Sequence, residues 1–287
     1  MEEVNNEVIE IEELPIDELE ENESCKAIKE YFLKEENPSC MKELADLFGQ
    51  SEGEMSKEFG VFKAKKLYKK LNFLIVDNTL FYEEFIKRLN VAVKYGFKGV
   101  TVLPNSVKKA KQFLVGKGVE VRTIIDYPLG EELLKSRLQS VKTAVKNGAD
   151  SIVITLPTSL IKNAEYKRAV KEFNKLSKVA RKCKISLLID FLKVNFNEVK
   201  PFIESVTAKG KVYSVIPYNS FLSVMNFVAV KDLCELSMHS CIVEGAGKIE
   251  SATEIITALN NGASEILSPD CPFIAQELDG KINTLNT

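Results

Sequence analysis

A single histidine, His239, is all the imidazole in these 287 residues. That leaves no room for a His-based nucleophile triad or a Cys/His zinc site, and no metal ligand set or cofactor is expected. The six cysteines, at positions 25, 40, 183, 234, 241 and 271, form no C-x-x-C pair. Reduced thiols in a reducing compartment fit this pattern better than a disulfide framework. No run of about 18 apolar residues is available to cross a bilayer. The first residues lack the basic and apolar regions of a secretory signal, so the expected location is the cytoplasm. A net charge of −2 is too small to point to nucleic acid or a membrane surface.

What is present suits one large soluble domain with an appendage: 45% hydrophobic and 28% charged residues. The charge is unevenly spread. Eleven carboxylates precede the first basic residue, Lys26, whereas Lys63, Lys65, Lys66, Lys69 and Lys70 cluster further on. Residues 1–23 alternate acids with isolated apolar residues, too few to offset chain entropy, and are expected to form a solvated acidic tail. From Ser24 to about Leu71 the pattern is helical, with Ser24 and Ser39 as caps and Asn37-Pro38 as a break. Leu44-Ala45 with Gly49 resembles the start of a helix-turn-helix, which would make residues 39–71 a DNA-binding regulator's reading head. Glu52, Glu54 and Glu58 stand where a reading helix would face phosphates, so a helical cap on the next domain is the stronger expectation.

After Asn72 the rhythm changes. Short β-branched runs alternate with amphipathic stretches: Phe73–Val76, Gly99–Leu103, Val119–Ile125, Ser151–Leu156, Ile185–Ile189, Val212–Ile216, Ser240–Val243 and Glu265–Leu267. Continuous apolar strands joined by helices imply a parallel sheet covered on its outer face. Eight such units predict an α/β fold, a (β/α)8 TIM barrel over residues 72–287, behind a small helical extension at 24–71.

The strand ends carry a further signature. Asp77-Asn78-Thr79-Leu80, Ile125-Asp126-Tyr127-Pro128-Leu129-Gly130, Asn147-Gly148-Ala149-Asp150 and Leu188-Ile189-Asp190 occur in that order. Gly247, Ile249 and Asn261-Gly262-Ala263 follow. In order and type they resemble the deoxyribose-phosphate aldolase family of class I aldolases, over about residues 72–275. The resemblance implies a strand-six Schiff-base lysine, a strand-seven lysine that lowers its pKa, and a strand-four aspartate that moves protons. Those types suit the chemistry, because the nucleophilic amine must be neutral and needs an acid/base partner.

None of the three stands at its matching position. Ser214 or Val215 falls at the strand-six lysine, Glu244 at the strand-seven lysine and Val153 at the strand-four aspartate. The family's phosphate-binding amides fall on Gly247-Lys248 and Pro269-Asp270-Cys271. There the proline removes a donor and Asp270 repels an anion. The expectation is therefore a catalytically degenerate barrel, acting as a scaffold or as a metabolite-sensing, partner-binding protein. The alternative is a working lyase on 2-deoxy-D-ribose 5-phosphate, with Lys248 or Lys193 as relocated nucleophile and Asp190 as acid/base.

Strand-end acids at Asp77, Asp126, Asp190, Glu244 and Asp270 point to a carboxylate-lined mouth, completed by Thr79, Gly245, Gly247, Lys248 and Ser268. The same acids also suit helix caps, or pairing with Lys248, Lys193 or Lys162. The partners expected are a weakly held phosphorylated metabolite and a protein bound through the acidic tail or the helical extension.

Overall fold

The computed structural model describes residues 65–284 except 182, 209, 221–223 and 238–239. The acidic tail, the helical extension up to residue 64, most of the helix-turn-helix-like segment 39–71, and His239 lie outside the described residues.

Eight parallel strands close into a barrel in chain order. They are β1 (Leu71–Ile75), β2 (Gly99–Val102), β3 (Glu120–Ile125), β4 (Ser151–Thr155), β5 (Lys184–Asp190), β6 (Ser214–Tyr218), β7 (Ile242–Ala246) and β8 (Glu265–Ser268). Helices follow the strands: α1 (Tyr82–Tyr95), α2 (Val107–Leu114), α3 (Leu134–Lys146), α4 (Thr158–Lys162) and α5 (Tyr166–Ala180) in the first half. The second half adds α6 (Phe196–Thr207), α7 (Phe227–Ser237), α8 (Ala252–Asn260) and α9 (Cys271–Thr284). The expected (β/α)8 barrel is the fold observed.

The period-two alternation of a strand sorts the side chains into two cores. Val121, Ile152, Ile154, Leu187, Ile189, Val215 and Val243 point outward into the layer shared with the helices. Ile124, Val153, Leu188, Ile216, Tyr218, Ala246 and Leu267 point inward and form a separate cluster. The helices meet the outer layer through one face each: in α1, Phe85, Leu89 and Ala92 are buried, and Gly96 ends the helix in a left-handed turn.

Two strands depart from the apolar runs that announce them. β6 starts and ends later than Val212–Ile216, because Pro217 and Tyr218 still pair with Ile189 and Asp190. Proline lacks an N–H, so it stops the apolar pattern without stopping the strand. β7 likewise extends through Gly245 and Ala246, small residues of low strand propensity whose place depends on tertiary packing. The helical turn at 65–68 leads into β1 and packs on the barrel. Tyr68 is buried, and its hydroxyl donates to the Asp279 carboxylate at 2.9 Å and the Ala275 carbonyl at 3.2 Å.

Candidate functional site

The barrel interior is filled at three levels. Near the N-terminal ends of the strands, Glu265 of β8 accepts from Asn72 Nδ2 at 2.9 Å, from the Tyr213 hydroxyl at 2.5 Å and from the Lys98 ammonium. At mid-height, Arg122 of β3 reaches across to Glu244 of β7 and donates to both carboxylate oxygens, at 2.8 and 3.1 Å. The Ser214 hydroxyl of β6 donates to the same carboxylate, and Ser186 of β5 bonds Ser214 at 2.6 Å. Burial alone would push the Arg122 guanidinium down, but Glu244 beside it holds it above its ordinary value. This is a closed, charge-paired plug.

Above it, at the C-terminal ends of the strands where barrel enzymes work, the mouth is apolar. Its cavity of about 130 Å³ is lined by Leu74, Ile124, Leu188 and Leu267, with Tyr127 and Tyr218 on one side. The two tyrosine hydroxyls share a hydrogen bond of 2.6 Å. Burial, then the bond to Tyr127, raises the Tyr218 phenol well above its ordinary value. The volume is under half of the roughly 300 Å³ at which ordinary ligand pockets begin. Lys248 lines this cavity and is exposed.

The carboxylate-lined mouth expected from the sequence is not what folds. Asp77 is exposed and turned onto its own loop, accepting from the Thr79 amide at 2.9 Å and hydroxyl at 2.6 Å; these bonds hold it below the usual carboxylate range. Asp126 faces α3, where Arg137 Nε lies 3.3 Å away. Burial lifts its carboxyl above the ordinary value, while the Glu132 amide and Arg137 work against that. Asp190, 3% exposed, accepts from the Leu192 amide at 3.1 Å and pairs with Lys193 Nζ at 3.1 Å. Glu244 sits one level below the mouth, 0% exposed, bound to Arg122. Each acid is taken by a nearby donor, so their shared position at strand ends does not converge on a ligand. Among the described residues no group of three or more His, Cys, Asp or Glu is placed to hold a metal ion.

The remaining acid, Asp270, occupies the loop where the family resemblance puts phosphate. Its Oδ2 accepts the Ile249 amide at 2.9 Å, and its own amide donates to the buried Ser268 hydroxyl at 3.0 Å. The chain's own carboxylate thus takes an amide donor beside Gly247. Gly245 and Gly247 serve packing: a Cβ on Gly247 would lie 2.6 Å from the Met225 amide nitrogen, and one on Gly245 2.8 Å from its sulfur. Of the four residues matched to family catalytic positions, Ser214, Val153 and Glu244 face the interior while Val215 faces the helices. The inward residues of β6 are Ser214, Ile216 and Tyr218. Of the two candidate lysines, Lys248 is at the cavity and Lys193 is engaged by Asp190. Arg122 and Ser186 belong to no strand-end motif, although an arginine inside the apolar run Val121–Ile125 is the signal of an interior partner.

No protein-family profile matches the chain. Among curated proteins it is 25% identical over 199 residues to a deoxyribose-phosphate aldolase of Mycoplasmoides gallisepticum, covering 69% of this chain and 88% of that protein. It is 26% identical over 216 residues to one from Mycoplasma pneumoniae, covering 71% and 93%. Among solved structures it resembles an aldolase, QR15, with a TM-score of 0.71 at 20% identity, covering 76% of this chain and 98% of that one. Deoxyribose phosphate aldolase from Aeropyrum pernix gives 0.68 at 19%, covering 78% and 97%. At these identities the structures share the barrel. In sequence the chain is similar to deoxyribose-phosphate aldolases along most of its described length, and in fold it shares their barrel.

Proposed function

We propose that this barrel makes no imine with a sugar phosphate, and serves as a scaffold or as a metabolite-sensing, partner-binding protein. The observation that carries this reading is the engagement of Glu244. At the position where the family resemblance implies a cation that keeps the nucleophilic amine neutral, a buried carboxylate binds Arg122 and Ser214. A carboxylate there would hold an amine in its charged, non-nucleophilic form. β6, reading Ser-Val-Ile-Pro-Tyr, offers no lysine in any register. A small apolar cavity and an amide already taken by Asp270 further support a barrel that does not hold a pentose phosphate in reactive geometry.

The test is to incubate the protein with 2-deoxy-D-ribose 5-phosphate and borohydride, then weigh it intact. No covalent adduct, beside an active aldolase that gives one, is the expected result. An adduct would overturn the proposal.

One observation favours a second reading, in which a relocated lysine performs the lyase reaction: Lys248 lines the mouth cavity. In that case an adduct maps to Lys248 and disappears in Lys248→Met. Asp190 suits the acid/base role less well, because its carboxylate is taken by Lys193 and the Leu192 amide.

A further inference from the structure

A strongly cationic groove runs along α5, away from the mouth. Its volume is about 760 Å³, and Lys167, Lys171, Lys175, Lys178, Arg181 and Lys211 line it, with no carboxylate among the lining residues. All six are exposed. The lysines at 167, 171, 175 and 178 recur at helical spacing, so they form one stripe on α5. Like charges four residues apart repel and destabilise a helix. The acids nearby do not relieve this stripe. Glu172 of the same helix turns to Arg168 and Arg137, at 3.3 and 3.7 Å. Glu120 is paired with Lys184, outside the stripe, at 2.9 Å. Among the described residues no ion pair engages the six groove cations.

The groove ends at the N-terminal face of the barrel, where Cys183 and Ile185 at the start of β5 complete its lining. The chain enters the barrel at that same face, through residues 65–68 into β1. Ahead of that entry stands the most acidic stretch of the sequence, residues 1–23, with eleven carboxylates and no lysine or arginine.

We propose that residues 1–23 of this chain dock on the α5 groove of the same molecule, through carboxylate–ammonium contacts. Reach is sufficient. The 41 residues from 24 to 64 span about 35 Å even as flexible coil, against a radius of gyration of about 17 Å for a domain of this size. Tethering holds the acidic stretch near the groove at an effective concentration on the order of millimolar, which favours it over a free polyanion of similar charge. Single exposed ion pairs contribute little, so the contact depends on many acting together and is sensitive to salt.

Zero-length carbodiimide crosslinking of the full chain, mapped by peptide mass spectrometry, tests the proposal. The expected result is linkage of carboxylates within 1–23 to Lys171, Lys175, Lys178 or Lys211, lost at about 1 M salt, where screening acts within about 3 Å. In the double variant Lys171→Glu with Lys175→Glu, linkage to Lys178 and Lys211 should disappear as well, although both amines remain. Persistence of those two links, or links spread evenly over lysines such as Lys108, Lys109 and Lys142, would overturn it. A mixture of isotopically light and heavy chains separates the two possible sources. Links within one chain support the proposal, and links only between chains reject it in favour of a second copy. An added single-stranded oligonucleotide that protects the groove lysines from modification, when no tail crosslinks form, would instead assign the groove to nucleic acid.

Discussion

Arg122 and Glu244 face each other across the barrel interior, joined by two hydrogen bonds of 2.8 and 3.1 Å and shielded almost wholly from solvent. A pair buried this deeply is asymmetric in its energetics. Keeping both partners costs desolvation that their attraction offsets, while removing one strands a charge in the core. Glu244→Gln is therefore expected to destabilise the fold by about 3–5 kcal/mol. Replacing both, as Arg122→Met with Glu244→Leu, should recover most of that loss. Urea midpoints of the two variants and the parent check this. A single variant as stable as the parent would mean that the pair does not carry the interior.

The lower cluster responds to pH in a defined direction. Burial alone would raise the Glu265 carboxyl, but hydrogen bonds from Lys98, Tyr213 and Asn72 hold it below its ordinary value. A depressed folded value means that the unfolded chain binds the proton more tightly, so stability rises with pH through that range. The contribution is complete above the unfolded carboxylate value of about 4.3 and is lost as pH falls through the folded one. Denaturant midpoints taken from about pH 3 to about pH 7 should show this slope. In Glu265→Gln part of it should vanish, with the variant less stable than the parent near neutrality. An unchanged acid slope would remove Glu265 from the account.

The barrel was legible because strand and helix periods alternate so regularly from Asn72 onward, and burial enforces that alternation. The ends of β6 and β7 were less so. Pro217 and the pair Gly245–Ala246 read as strand breakers, yet tertiary pairing keeps them in the sheet. The site was legible only in what it lacks. The missing lysines can be read off β6 and β7 directly, but the fate of the acids cannot. Asp126 meets Arg137 of α3, and Glu244 meets Arg122 four strands away. Such pairings depend on distances that strand-end position alone does not supply. Sequence position placed five acids at one end of the barrel, and donors both near and far along the chain engage each of them.

Met225 packs over the end of β7, and the two glycines beneath it should differ in what they tolerate. Gly247 has φ +152°, and an added Cβ would meet backbone atoms of Val224 and Met225 at 2.6–2.7 Å. Gly245 would meet the Met225 sulfur at 2.8 Å, the far part of a flexible side chain that can shift. Gly247→Ala should therefore cost about 1–3 kcal/mol, and Gly245→Ala clearly less. Equal losses in thermal or chemical denaturation would show that the segment at Val224–Met225 moves as easily as the methionine side chain.

Asp270 sets the last expectation, because it decides whether the loop after β7 can take an anion. Its carboxylate holds the amide of Ile249, the residue after Lys248, at 2.9 Å, which sets a negative charge on this loop. The amide is therefore not free for phosphate, and an approaching phosphate meets repulsion. In Asp270→Ala the amide is released, the charge is gone, and Lys248 remains as the nearby cation. The parent should show no stabilisation by inorganic phosphate beyond that of an equal ionic strength of chloride. The variant, less stable on its own by about 1 kcal/mol for the lost charge-assisted bond, should gain stability as phosphate rises, in the manner of a bound ligand. Thermal unfolding of both proteins across a phosphate series, with Lys248→Met added to the Asp270→Ala background, separates the two contributions. Loss of the phosphate effect in the double variant would assign the attraction to Lys248. A parent that already gains stability with phosphate would show that Asp270 does not block the loop.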